Sequence, residues 1–144
     1  MTIMTKTIEE LQNELIDEFE PFDDWMDRYQ LIIEMGDSLP LISDAEKVDD
    51  NLIEGCQSRV WIVCSQAPDG KLYFRADSDA LIVKGIVAML LRIYDGQTPN
   101  AILQTPLFFI EKLNLTGHLS PTRSNGLMAM LARIKEYATS KLEG

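Results

Sequence analysis

The chain has 144 residues, 46% of them hydrophobic, and carries 23 acidic against 13 basic side chains for a formal net charge of -10. That length suits one ordinary domain, residues 1–144, with a real core. Charge of this sign argues against a nucleic-acid role, which needs Lys and Arg to displace counterions from phosphates, and no stretch reaches the roughly 20 apolar residues of a membrane span. With no basic stretch and apolar run at the N-terminus, an unexported, cytoplasmic protein is expected.

Thr7 and Glu10 form a capping-box pattern, and Ile8, Leu11, Leu15 and Phe19 recur at helical spacing until Pro21. A second helix is predicted from Trp25 to Met35, with Trp25, Tyr29, Ile32 and Ile33 inward and Gly36 at its end. Much of the acidity falls in these helices, in Glu9, Glu10, Glu14, Asp17, Glu18, Glu20, Asp23, Asp24, Asp27, Glu34 and Asp37. It reads as a solvated face, with a docking surface for a basic partner as the alternative. Leu39 to Ile42 has no periodicity and reads as a connector.

Arg59 to Cys64, rich in β-branched and aromatic residues, suits a strand, and Pro68-Asp69-Gly70 a turn. Leu72, Phe74 and Ala76 then alternate with Lys71, Tyr73, Arg75 and Asp77, which completes an antiparallel hairpin. Ser78 and Asp79 are good N-cap types for an apolar helix from Ala80 to Tyr94 that must lie deep in the fold. Short helices follow around Pro99 to Gln104 and Leu107 to Leu113, and Gly117 is expected to break the chain. A last amphipathic helix starts at Ser120, Pro121 or Thr122 and runs through Leu127, Met130, Leu131, Ile134 and Tyr137. The order predicts an α+β fold, an antiparallel sheet packed against helices.

Two cysteines are too few for a disulfide framework, and their spacing fits no zinc pattern, so reduced thiols are expected. Cys64 ends an apolar strand and reads as a small core hydrophobe. Cys56 lies between Gly55 and Gln57 in a polar, turn-like interruption, where a side chain can be exposed. Arg59 would favour its thiolate and Glu54 oppose it. The residues alone leave open a working thiol or an inert turn cysteine. The single histidine, His118, allows a Cys–His dyad for hydrolysis or acyl transfer, or is simply a loop residue. Arg123 lies near the positive end of the last helix, where a cation is disfavoured, so a carboxylate partner is expected, Asp79 or Asp77. No phosphate-binding glycine loop and no metal-ligand cluster is present in the sequence.

Three blocks carry a resemblance: Leu52-Ile53-Glu54-Gly55-Cys56-Gln57-Ser58-Arg59-Val60-Trp61, Ser78-Asp79-Ala80-Leu81-Ile82-Val83-Lys84-Gly85, and His118-Leu119-Ser120-Pro121-Thr122-Arg123-Ser124-Asn125-Gly126-Leu127. In order and spacing they resemble the SufE family of cysteine-desulfurase sulfur acceptors, which includes the similar CsdE proteins. The resemblance implies a SufE/IscU-like α+β fold and a carrier that is not itself an enzyme. It implies Cys56 as the persulfide acceptor, with Asp79 and Arg123 pairing to hold the cysteine loop at rest. The relatives commonly have another apolar residue at the position of Cys64. The implied partners are a SufS- or CsdA-type desulfurase, which carries the pyridoxal phosphate, and a downstream scaffold such as SufBCD. This chain would need no cofactor, and weak homodimerisation stays open. Shelter of the Cys56 loop between transfers, with exposure on the desulfurase, is expected to show as changed hydrogen exchange from Gly55 to Ser58. A regulatory module that binds a desulfurase without carrying sulfur is a further alternative.

Overall fold

A computed structural model describes residues 6–53 and 59–143. Helices α1 (Ile8–Phe19) and α2 (Trp25–Gly36) are followed by 3-10 turns at Asp44–Glu46 and Asp49–Asn51, strands β1 (Val60–Gln66) and β2 (Leu72–Ser78), and the long apolar helix α3 (Leu81–Tyr94). Short helices α4 (Pro99–Gln104), α5 (Phe109–Lys112) and α6 (Leu115–His118) lead to α7 (Pro121–Glu143). The fold is α+β, with helices around one two-stranded antiparallel sheet among the described residues.

The capping box that opens α1 forms as the sequence predicts: Thr7 Oγ1 accepts the Glu10 N–H and the Glu10 carboxylate accepts the Thr7 N–H. Ile8, Gln12, Leu15 and Phe19 make its buried stripe. Gln12, polar and fully buried, is satisfied by long-range bonds. Its amide donates to the Pro106 carbonyl (3.1 Å) and its oxygen accepts the Phe108 and Phe109 N–H groups (2.8 and 3.2 Å), which caps the start of α5. The carboxylates of these two helices are exposed apart from the half-buried Glu14, as either a solvated face or a docking surface requires.

Helix α3 is the centre of the core, with eleven of its residues buried. Helix α2 crosses it at Gly36 and Gly85 in a contact that requires glycine. A Cβ built on Gly85 would lie 2.0 Å from the Ile32 carbonyl oxygen, inside the backbone of the other helix. The expected N-caps need correcting. The cap position of α3 is Ala80, whose side chain cannot cap. Ser78 Oγ instead accepts the Ala80 N–H at 3.3 Å, and the Asp79 carboxylate is turned back onto Arg59.

The hairpin pairs Val60 with Ser78 through to Gln66 with Leu72. Gly70, with φ +88°, makes the turn between them. Both outer edges carry bonds to neighbouring segments, along β2 and over the first half of β1. On β2, Leu72 N–H donates to Gln97 (2.8 Å), Phe74 N–H to the Asp95 carboxylate (2.7 Å) and Ala76 N–H to Pro40 (2.9 Å). On β1, Val60 O accepts the Ile53 N–H (2.8 Å) and Ile62 O accepts the Tyr137 hydroxyl (3.0 Å).

Gly117 does not break the chain but lies inside α6. The reversal falls at Asn114, in the left-handed region at φ 53°. Helix α7 begins at Pro121, with Ser120 Oγ accepting the Arg123 N–H, and buries Leu127, Met130, Ile134 and Ala138, while Leu131 and Tyr137 are half-buried. Among the described residues no helix is long and apolar enough to cross a membrane.

Candidate functional site

Cys56 lies outside the described residues, so the site is defined by the two segments that lead to and from it. They meet at the edge of the sheet. Upstream, the turn at Asp49–Asn51 delivers Leu52 into an antiparallel bridge with Trp61, and the buried Ile53 donates its N–H to Val60. Downstream, Arg59 and Asp79 exchange two bonds that extend the ladder beyond the last regular pair. Arg59 N–H donates to Asp79 Oδ1 (3.0 Å), and Asp79 N–H donates to the Arg59 carbonyl (3.2 Å). The residue expected to position the loop is therefore bonded to the backbone immediately after it.

The upstream segment has a holder that the sequence reading missed. Arg133 on α7 donates to the carbonyls of Asp50 (3.2 Å) and Leu52 (2.9 Å). In sequence it looks like an ordinary helix-surface arginine, and nothing local marks its acceptors.

Arg123 behaves differently from expectation. It is exposed in the first turn of α7, and among the described residues no ion pair joins it to Asp79 or Asp77. Asp77 is already committed, with Lys47 at 3.0 Å and Lys84 at 3.5 Å. Burial acts to raise the Asp77 carboxyl, but the Lys47 and Ser78 hydrogen bonds and the two ammonium groups outweigh it and hold it below its ordinary value. Asp79 spends an oxygen on Arg59. Around the hairpin, Glu46 is likewise held down, to about 2, by the Arg75 guanidinium and the Ser43 N–H.

His118 is stacked on Trp25, with ring centroids 3.9 Å apart and planes 12° from parallel. Its Nδ1 lies 3.0 Å from the Asn114 carbonyl, which requires the proton on that nitrogen, and its own carbonyl accepts the Tyr29 hydroxyl. These are the contacts of a packed histidine that joins α6 to α2. Cys64 is half-buried against the core on β1, opposite Phe74. Burial pushes its thiol up to about 11, with Asp95 adding to the rise and Lys141 opposing it. It has the surroundings of a packing residue. No group of His, Cys, Asp and Glu among the described residues is placed to hold a metal ion.

The model of the SufE family, described as an Fe-S metabolism associated domain, matches residues 13–138. The fold is also similar to the solution structure of a hypothetical protein from Thermus thermophilus, with a TM-score of 0.75 over 93% of this chain and 97% of that one. At 20% identity that likeness carries the fold alone.

Proposed function

Because the chain belongs to the SufE family, associated with Fe-S metabolism, we propose that it accepts persulfide sulfur on Cys56 from a pyridoxal-phosphate cysteine desulfurase of SufS or CsdA type. It stimulates that enzyme and passes the sulfur to a scaffold such as SufBCD for iron-sulfur cluster assembly. The supporting observation is the family match, which spans the Gly-Cys-Gln-Ser block at residues 55–58. Ile53 and Arg59, the described residues on either side of that block, are both bonded at the sheet edge.

The chemistry is thiol–persulfide exchange. The Cys56 thiolate attacks the outer sulfur of the donor persulfide, the donor's S–S bond breaks, and the donor cysteine leaves as thiolate. One S–S bond forms as one breaks, so no external oxidant or reductant is consumed. In this reading the whole chain acts as a single carrier domain in the reducing cytoplasm, without a cofactor of its own. The pyridoxal phosphate on the partner supplies cleavage of the C–S bond of cysteine. Asp79 holds the segment after the cysteine through Arg59.

The test is intact mass after incubation with a desulfurase and cysteine, with and without reductant. A gain of one sulfur atom, reversed by reductant, absent in Cys56→Ser and kept in Cys64→Ser, is the expected result. No gain with either SufS- or CsdA-type enzymes rejects the carrier role, and stimulation that survives in Cys56→Ser points to a purely regulatory module.

A further inference from the structure

Midway along α7, the Arg133 guanidinium spans 83 residues of sequence to reach Asp50 O through Nη1 and 81 to reach Leu52 O through Nη2. Both acceptors belong to the segment that ends at Ile53, the last described residue before Cys56. The Arg133 side chain is 22% exposed, and of its two bonds the one to Leu52 is partly buried while the one to Asp50 is exposed. Its guanidinium carbon lies 6.0 Å from the Tyr137 ring, and the Tyr137 hydroxyl donates to Ile62 on the strand that follows the cysteine segment. One turn of α7 thus holds the chain on both sides of residues 54–58. The ion pair with Glu136, 3.9 Å away and 74% exposed on that side, contributes little to this. A flat fork of donors can serve two carbonyls at once, and an ammonium group on a flexible stem serves them poorly.

We propose that Arg133 is a positioning residue for sulfur acceptance: it fixes the Asp50 and Leu52 carbonyls and so the setting from which the Cys56 thiol meets a persulfide. This rests on Cys56 being the accepting thiol. Arg133→Met keeps an unbranched stem against Tyr137 and loses every donor, Arg133→Lys keeps the charge, and Glu136→Gln keeps both carbonyl bonds.

In a full-length Cys64→Ser background, Cys56 alkylation by iodoacetamide is followed by mass as a function of pH, with amide exchange read at Leu52 and Ile53. Arg133→Met is expected to raise the alkylation rate roughly tenfold, the order set by losing charge-assisted hydrogen bonds. Arg133→Lys should fall between it and the parent, and Glu136→Gln should match the parent. Exchange at Leu52 and Ile53 should accelerate in the same order. With a desulfurase, the maximal transfer rate should fall while the half-saturating acceptor concentration stays constant. Parent-like alkylation and exchange in Arg133→Met overturn the proposal. If that variant does not fold, parent-like behaviour of a folded Arg133→Lys overturns it equally. Sulfur uptake by the unsubstituted protein is scored separately: if it fails while the Arg133 variants still alter alkylation, the role assigned to Cys56 falls and the positioning of its segment stands.

Discussion

Near each end of the hairpin an aspartate accepts a backbone N–H, in opposite surroundings. At the cysteine end, exposed Asp79 accepts from Arg59 just before α3 begins. At the far end, half-buried Asp95 accepts from Phe74 at the C-terminus of α3. The helix dipole favours a negative charge at the first place and opposes it at the second. Burial pushes the Asp95 carboxyl above its ordinary value, and the Phe74 bond only partly offsets the rise. Cys64, which Asp95 also influences, belongs to that sheltered region. The titratable groups placed there, Asp95 and Cys64, are therefore partly withdrawn from water. The cysteine end combines the buried Ile53–Val60 bond with the more exposed bonds of Arg59 to Asp79 and of Arg133 to Asp50, which suits a segment whose proposed work is to meet another protein.

Disrupting the frame that both ends share should have the largest effect. Gly85→Ala drives a methyl into the Ile32 carbonyl and should cost about 3 kcal/mol or more in urea unfolding. An unchanged midpoint would mean that α2 and α3 separate without cost. The contrast between the thiols comes next. With its thiol moved from 9.0 to about 11, Cys64 in a Cys56→Ser protein should alkylate about a hundredfold more slowly near neutral pH than an ordinary thiol, climbing about tenfold per pH unit toward that value. An ordinary rate would remove the sheltered character of the far end.

Asp79→Ala should cost about 1 kcal/mol and speed amide exchange at Arg59 while leaving Phe74 protected. Faster exchange at both sites would show that the two ends are coupled. The smallest effect is expected at Asp95. Because its folded-state affinity for a proton is raised, its contribution to stability is fully present below the ordinary value of 3.8 and is lost as pH rises through the raised value. Asp95→Asn retains an oxygen for Phe74, so it should gain stability over the parent at neutral pH, with the gain vanishing in acid. A gain that persists below the ordinary value would place the cause elsewhere.

Features that depend on neighbours in sequence were legible without coordinates. The Thr7–Glu10 capping box, the alternation of Leu72, Phe74 and Ala76, and the apolar run of α3 each announce themselves within one or two turns of chain. Local reasoning failed where a distant group competes for the same atom. Asp79 looked like a helix cap and is taken by Arg59 across the hairpin. Asp77 looked available to Arg123 and is occupied by Lys47 and Lys84. Gln12 gave no sign that it satisfies backbone donors nearly a hundred residues away.

The sequence by itself determined the α+β architecture, the polar interruption that contains Cys56, and the blocks that tie the chain to its family, because periodicity, turn residues and motif spacing are properties of adjacent residues. Only the tertiary structure decided how the approaches to Cys56 are held. Asp79 and Arg133 act through backbone atoms of chain segments remote in sequence, and such bonds exist only once α3, α7 and the sheet edge have packed together.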